Sequence, residues 1–333
     1  MISDKNSRIK QPKGMEHLID LLDSLQEFHV IAAGIELGFF EILENKTLTA
    51  EEIADAMGFE RELTKAWCDA AAGCGYLIIS DDKFALTKRC KMFLLSKSPT
   101  YFGSLHKYTK IVPEAFSDLK ARFSGKRPLM ETRHAMDTVE SIAPFAQFIV
   151  PILIQNVPIL KERCHVLDLG TGFGSYLIKL ALMNPQLTGL GVDGGWIAEI
   201  VYEAKRNVER FKVQDRIKIM LADVMDLELA EKFDVVFMSG FLQAFNPENA
   251  LYILKKVRCW LKPHGKLVLQ EMLLEEGRTK PKSNVLLNLL LHLETPQAGL
   301  FEYKQLEEIL HEAQYSEIKR IDILPQISHI IVE

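Results

Sequence analysis

The segment HVLDLGTGFGSYLIKLAL, residues 165–182, constrains the fold more than any other part of the chain. An apolar run passes into Gly170, Gly172 and Gly174, then into a helix starting near Ser175. Glycines there let the backbone turn sharply and approach a ligand, while the helix start presents unpaired N–H groups. From Cys164 onward strands and helices alternate. Strands are expected at 165–170, 188–193, 217–223, 234–239 and 266–272, which predicts a parallel, doubly wound α/β sheet. The last stretch, EIKRIDILPQISHIIVE, breaks the alternation. Its two strands are joined by a proline-containing turn too short for a parallel crossover, so that pair is antiparallel.

The glycine spacing is GxGxG, whereas the dinucleotide fingerprint is GxGxxG. Two further acids sharpen the reading. Asp193 closes the second strand, where a carboxylate suits the two hydroxyl donors of a ribose. Asp223 closes the third, where it or its backbone can meet the exocyclic amine of an adenine. Asp168, inside the first strand, has two readings of equal standing: a brace accepting N–H groups of the glycine turn, or a direct ligand contact. In VDGGWIAE, Gly194 lets the backbone pass close to an adenosine, and Trp196 either covers its ring or packs on the following helix.

The N-terminal part is organised differently. Residues 15–43 carry apolar side chains at helical spacing, interrupted at Gly38, and their apolar faces need a partner. Thr49 and Glu52 form a capping box before a short helix closed at Gly58; a second helix closes at Gly73 or Gly75. Two short strands at 76–80 and 83–87, joined by Asp81 and Asp82, complete a winged helix. Its would-be recognition helix, ERELTKAWCDAAAG, has two basic and three acidic residues, which disfavours phosphate contact and favours packing and dimerisation. At 333 residues the chain is long enough for roughly two domains. The expected division is residues 1–100 as a helical and winged-helix dimerisation domain, 101–162 as an aromatic-rich helical linker, and 163–333 as the catalytic domain.

A net charge of −5, spread over both signs, argues against a nucleic-acid or membrane binder. Five scattered cysteines without a CxxC pair predict a reducing cytoplasm, and no cluster has metal spacing, so no metal is expected. The polar N-terminus and the lack of an apolar run of about 18 residues predict neither secretion nor membrane insertion.

The motifs VLDLGTGFG, GLGVD, LADVMD, FDVVFMSGFLQAF and GKLVLQEML, behind a winged helix, together resemble the class I S-adenosylmethionine-dependent methyltransferases. More narrowly they resemble the small-molecule O-methyltransferases of the caffeic acid and acetylserotonin type. The resemblance runs from about Leu18 to Val332. It implies a Rossmann-like seven-stranded sheet in the order 3-2-1-4-5-7-6, a homodimer clasped through the N-terminal helices, and a substrate cleft between the domains. It implies S-adenosylmethionine as cofactor, with S-adenosylhomocysteine as product, held by Asp168, Gly170, Gly172, Gly174, Asp193, Gly194, Trp196, Asp223, Val224 and Ser239. It further implies a histidine base just after the fourth strand, and alignment puts Gln243 there. Glu271 matches the family's orienting glutamate. A second one is replaced by Leu300, with Glu302 two positions on.

An amide cannot take a proton. Three readings of Gln243 follow: it orients an acceptor that is already nucleophilic, it fixes Glu271 as the base, or the site binds the cofactor for other chemistry. His292, and also His106 and His134, compete for the vacant role. The expected substrate wall is Phe102, Tyr108, Phe145, Phe148, Asn288 and Leu291, suited to a small, largely apolar or aromatic acceptor. A nicotinamide oxidoreductase and a winged-helix regulator are the competing classes.

Overall fold

The computed structural model describes residues 14–126, 132–194, 197–295 and 297–332. The chain divides into two compact units, Met1–Thr109 and Lys110–Glu333.

In the first unit the elements run α1 (Met15–Leu37), α2 (Phe39–Ile42), β1 (Leu48–Thr49), α3 (Ala50–Met57), α4 (Arg61–Gly73), β2 (Leu77–Ser80), β3 (Lys83–Leu86) and α5 (Lys88–Phe93). Gly38 ends α1 at φ 82°, a left-handed conformation that glycine adopts without steric cost. Thr49 accepts from the Glu52 N–H while the Glu52 carboxylate accepts from the Thr49 N–H, so the expected capping box is formed. The strands pair in the order β1-β3-β2, giving the wing. Phe40, Leu43, Ile53 and Cys68 are fully buried at its centre, and Trp67 stacks on Phe39 at 4.0 Å. Arg61 and Lys65, the basic residues of α4, are paired with Asp55 and Asp69. Little positive charge is left on this helix for a phosphate.

Across the boundary runs α6 (Tyr108–Ala115), and the second unit continues with α7 (Leu119–Phe123), α8 (Thr132–Ile142) and α9 (Phe145–Asn156). There follow β4 (His165–Leu169), α10 (Ser175–Met183), β5 (Thr188–Asp193), α11 (Ala198–Arg210), β6 (Ile217–Leu221), β7 (Phe233–Ser239), α12 (Pro247–Trp260) and β8 (Leu261–Glu271). The chain closes with α13 (Lys282–Glu294), α14 (Tyr303–Glu312), β9 (Ile318–Leu324) and β10 (Ile327–Val332). Among the described residues seven strands form one sheet in the order β6-β5-β4-β7-β8-β10-β9. All neighbours are parallel except β10, which runs antiparallel to both β8 and β9. The central strand β4 buries Val166, Leu167 and Leu169 completely, each side chain contributing about 1.5–3 kcal/mol of apolar transfer. Burial on both faces is why it reads as a continuous apolar run. Leu167 and Leu169 join one core layer with α12 and α14, while Val166 joins the other with α9 and α10.

Among the described residues no single helix is long and apolar enough to cross a membrane. Nor does any group of three or more His, Cys, Asp or Glu among them form a metal-holding cluster.

Candidate functional site

The carboxyl ends of the parallel strands carry the candidate residues, as expected where neighbouring strands lead into oppositely directed crossovers. After β4 the backbone passes through Gly170, Gly172 and Gly174 at φ 72°, 54° and 77°, and Gly174 caps the start of α10. Two carboxylates sit behind this turn. Asp193, the last residue of β5, accepts the Gly172 N–H at 2.8 Å. Burial holds its pKa above the ordinary carboxylate value, opposed by the N–H groups of Gly172 and Gly194. Asp168 is 2% exposed and its pKa is pushed up to about 7, first by burial and then by the charge of Asp193, against the Thr171 hydroxyl that donates to it at 2.7 Å. The brace on the glycine N–H is therefore Asp193, whereas Asp168 is tied to Thr171.

Gly194 has φ 123°, a conformation that L side chains rarely adopt, so a substitution there is strained. Asp223, exposed beyond the end of β6, accepts the Met225 N–H at 2.9 Å in a local turn, with Val224 buried beside it. Ser239 ends β7. Its hydroxyl and that of Tyr176 both accept from the side-chain amide of buried Gln270, at 2.8 and 2.7 Å. Trp196 lies outside the described residues.

Beyond β7 the chain makes a single helical turn, Leu242–Ala244, before Asn246 caps α12 by accepting the Asn249 N–H. This turn carries Gln243. Phe241 leads into it with its ring directly over Gly170, where a Cβ would stand 2.4 Å from the ring. The turn is thereby packed against the glycine loop. Glu271, 2% exposed at the end of β8, lies beneath it and accepts the Phe241 and Leu242 N–H groups. Burial raises its pKa to about 8, the two N–H groups opposing. The side-chain oxygen of Gln243 is buried and has no hydrogen-bond partner.

The segment around Gly299 joins this turn to α13. The Gly299 N–H donates to the Gln243 carbonyl at 2.8 Å, and the Leu300 N–H donates to the Asn288 side chain at 2.8 Å. A Cβ on Gly299 would come within 3.0 Å of the His292 ring. Gln243, Asn288 and His292 are thus gathered around two backbone residues. His292 itself is exposed.

Residues 160–314 match a family profile described as a methyltransferase domain. Residues 160–314 therefore carry a methyltransferase domain, and the chain has the fold of the solved O-methyltransferases. Human N-acetylserotonin methyltransferase, solved with S-adenosylmethionine, superposes with a TM-score of 0.82 at 17% identity, over 98% of this chain and 99% of that one. An N,N-dimethyltransferase of Streptomyces rimosus is 22% identical over 278 residues, 79% of this chain and 79% of the relative. A tRNA (adenine-N6)-methyltransferase of Glaesserella parasuis is 27% identical over 132 residues, 35% of this chain. The chain spans about half of that relative's length, 54%.

The remaining sequence candidates lie on several elements. Phe145 and Phe148 lie half-buried on α9 and Leu291 half-buried on α13, in the second unit; Phe102 and Tyr108 are half-buried residues of the first. Glu302 precedes α14 and pairs with Arg278 at 3.5 Å, while Leu300 is buried. A cleft of about 420 Å³ is lined by Asn288, His292, Arg278, Glu302 and Lys304. Its charged walls differ from the apolar lining expected around the acceptor. His106 and His134 are engaged elsewhere: Nδ1 of His106 bonds to the Gly103 carbonyl, and both nitrogens of His134 meet carboxylates. Sequence reasoning missed the Phe241 ring over Gly170 and the Gln270 amide beneath Ser239, both contacts between residues far apart in the chain.

Proposed function

We propose that this chain transfers a methyl group from S-adenosylmethionine to a small, largely apolar or aromatic acceptor, and that it works as a homodimer. Gly170, Gly172, Gly174, Asp193, Gly194 and Asp223 are the residues that would hold the cofactor. Their fit rests on a turn whose three glycines stand at positive φ and on a half-buried acid able to accept hydroxyl donors. When bound, the cofactor supplies an electrophilic methyl on a sulfonium. The protein's part is to align the acceptor in line with that methyl and to keep water away.

The observation that carries the reading is the partnerless, buried oxygen of Gln243, on a turn wedged between the glycine loop and Glu271. Leaving such an oxygen unsatisfied costs about 1–3 kcal/mol, which a bound donor recovers. This supports an acceptor that presents an N–H or O–H to Gln243 and is already nucleophilic near neutral pH, since an amide removes no proton. A neutral amine, which keeps an N–H beside its lone pair, fits that description, as does an ionised hydroxyl with a separate donor next to it. A second reading, with Glu271 as the base, draws support from its burial and raised pKa.

Calorimetric titration with S-adenosylmethionine and S-adenosylhomocysteine tests the cofactor assignment. Wild type should bind both, and Asp193→Ala should weaken binding by about tenfold or more, as expected for loss of a charged hydrogen-bond acceptor. Absence of binding by a folded wild type ends the methyltransferase reading.

A further inference from the structure

The helices that open the second unit hold a charge cluster outside the site just described. His134 on α8 is 6% exposed. Its Nδ1 lies 2.9 Å from a carboxylate oxygen of Glu114 on α6, and its Nε2 lies 2.7 Å from Oε1 of Glu294, the last residue of α13. Arg122 on α7, 5% exposed, donates to the carbonyls of Ser117 and Glu114 and, at 2.7 Å, to that of Leu293. The C-terminal end of α13 is therefore held by two buried cationic side chains. That end has carbonyls without helical partners, and its dipole favours positive charge. A neutral imidazole donates from one nitrogen only, so serving both glutamates requires the doubly protonated ring. Consistent with this, the pKa of His134 is raised to about 9, first by its hydrogen bond to Glu294 and then by that to Glu114, against the opposing effect of burial.

The same helix touches the glycine turn with another face. Ala135, Met136 and Val139 pack with Phe173, Ile197 and Ile200. A Cβ on Gly172 would stand 3.1 Å from Val139. Residues 135 and 139 are one turn apart on α8, whereas 134 points about 100° away from 135. One short helix thus bears on the cofactor turn and on the end of α13.

We propose that His134 is a positioning residue: by bridging Glu114 and Glu294 it ties α13 to α8, so that occupancy of the glycine turn is transmitted to the helix carrying Asn288 and Leu291. This rests on the cofactor reading above. A ligand in the turn restrains Gly172 and, through Val139, α8; ordering α13 then costs less, and the coupling is reciprocal. The charged groups facing the ring are Glu114 from α6 and Glu294 from α13, with Arg122 of α7 on the Glu114 carbonyl; Asp137 lies on its own helix.

Hydrogen exchange of the full chain, read by mass spectrometry with and without saturating S-adenosylhomocysteine, tests the proposal. In wild type, the ligand should slow exchange about tenfold both at the glycine turn and across residues 288–295. In His134→Gln, ligand affinity and protection of the glycine turn should stay within about threefold, while the added protection of 288–295 falls below about twofold. Glu294→Gln, which keeps a hydrogen bond without the charge, should fall between them, and it carries the test if His134→Gln does not fold. Equal protection of 288–295 in wild type and a folded variant overturns the proposal; a purely structural role would not separate the two regions. If wild type fails to bind the ligand, the methyltransferase reading falls. The clasp is then judged on the free protein. After correction for intrinsic rates, exchange of 288–295 should accelerate between about pH 6.5 and about pH 9.5 in wild type but not in His134→Gln, and a flat wild-type profile refutes it.

Discussion

In the proposed site Gln243 carries the first mechanistic reading and Glu271 the second, and their variants separate the two. Gln243→Ala should leave cofactor affinity within about twofold and lower turnover on the true acceptor by about tenfold or more, the equivalent of one hydrogen bond of about 1–1.5 kcal/mol or better. Unchanged turnover removes Gln243 from the site. Gln243→His should retain cofactor binding and gain weak activity on catechol-like phenols. For Glu271 the sign of the pH effect is fixed by its environment. Its pKa rises from an ordinary 4.5 to about 8 on folding, so the folded chain keeps a proton that the unfolded chain has lost. This group's contribution to stability therefore declines as pH rises from about 4.5 to about 8, and is flat above. Glu271→Gln, which can still accept the two N–H groups, should melt at a higher temperature than wild type at about pH 9. Scanning calorimetry across pH checks this. If Glu271 is also the base, the same variant loses activity and the wild-type rate climbs to a plateau above about pH 8.

The glycine turn works as one element because its polar groups are satisfied from behind. Thr171 is 5% exposed and Asp168 2%, and their hydrogen bond is the side-chain tie that holds the turn to β4. Thr171→Val keeps the shape and removes the donor, leaving a buried carboxyl group without it. The expected cost is about 1–3 kcal/mol, seen as a lower denaturant midpoint, together with a higher Asp168 pKa. Wild-type stability in this variant would mean that water replaces the hydroxyl. Much of this element is legible in the sequence: the apolar run, the three glycines and the helix start are local signals, and the strand ends fall within two residues of expectation at β4, β5 and β6. The start of β8 is not. It extends back to Leu261 through Lys262, Pro263 and His264, which look like a turn, because pairing of Leu261 with Phe233 of β7 recruits them.

The first unit leaves a row of large apolar residues on α1 facing outward: Leu18, Leu22 and Leu25 are 62%, 60% and 56% exposed. Their spacing marks one helical face. An uncovered face of this size supports the proposed homodimer. Leu18→Glu combined with Leu22→Glu should convert a dimer to a monomer in light-scattering chromatography at micromolar concentration; a monomeric wild type would refute the dimer. The five cysteines are free, and burial raises the pKa of Cys68 and Cys90 to about 12, which leaves those thiols as small core side chains.

At the level of the whole molecule, the sequence by itself determined the winged helix, the succession of strands and helices, the antiparallel final pair and the position of the glycine turn. These follow from periodicity, caps and turn residues, which act between neighbours in the chain. Only the tertiary structure decided which groups meet across it. In the sequence His134 is one spare histidine among several; in the fold Glu114 and Glu294 stand on its two nitrogens, and the bond to Glu294 joins residues 160 apart. Phe241 is a near neighbour of Gln243 in the chain, yet its ring lies on Gly170. Pairings of that kind depend on how helices pack over a sheet, where burial and charge are settled by partners that local sequence does not name.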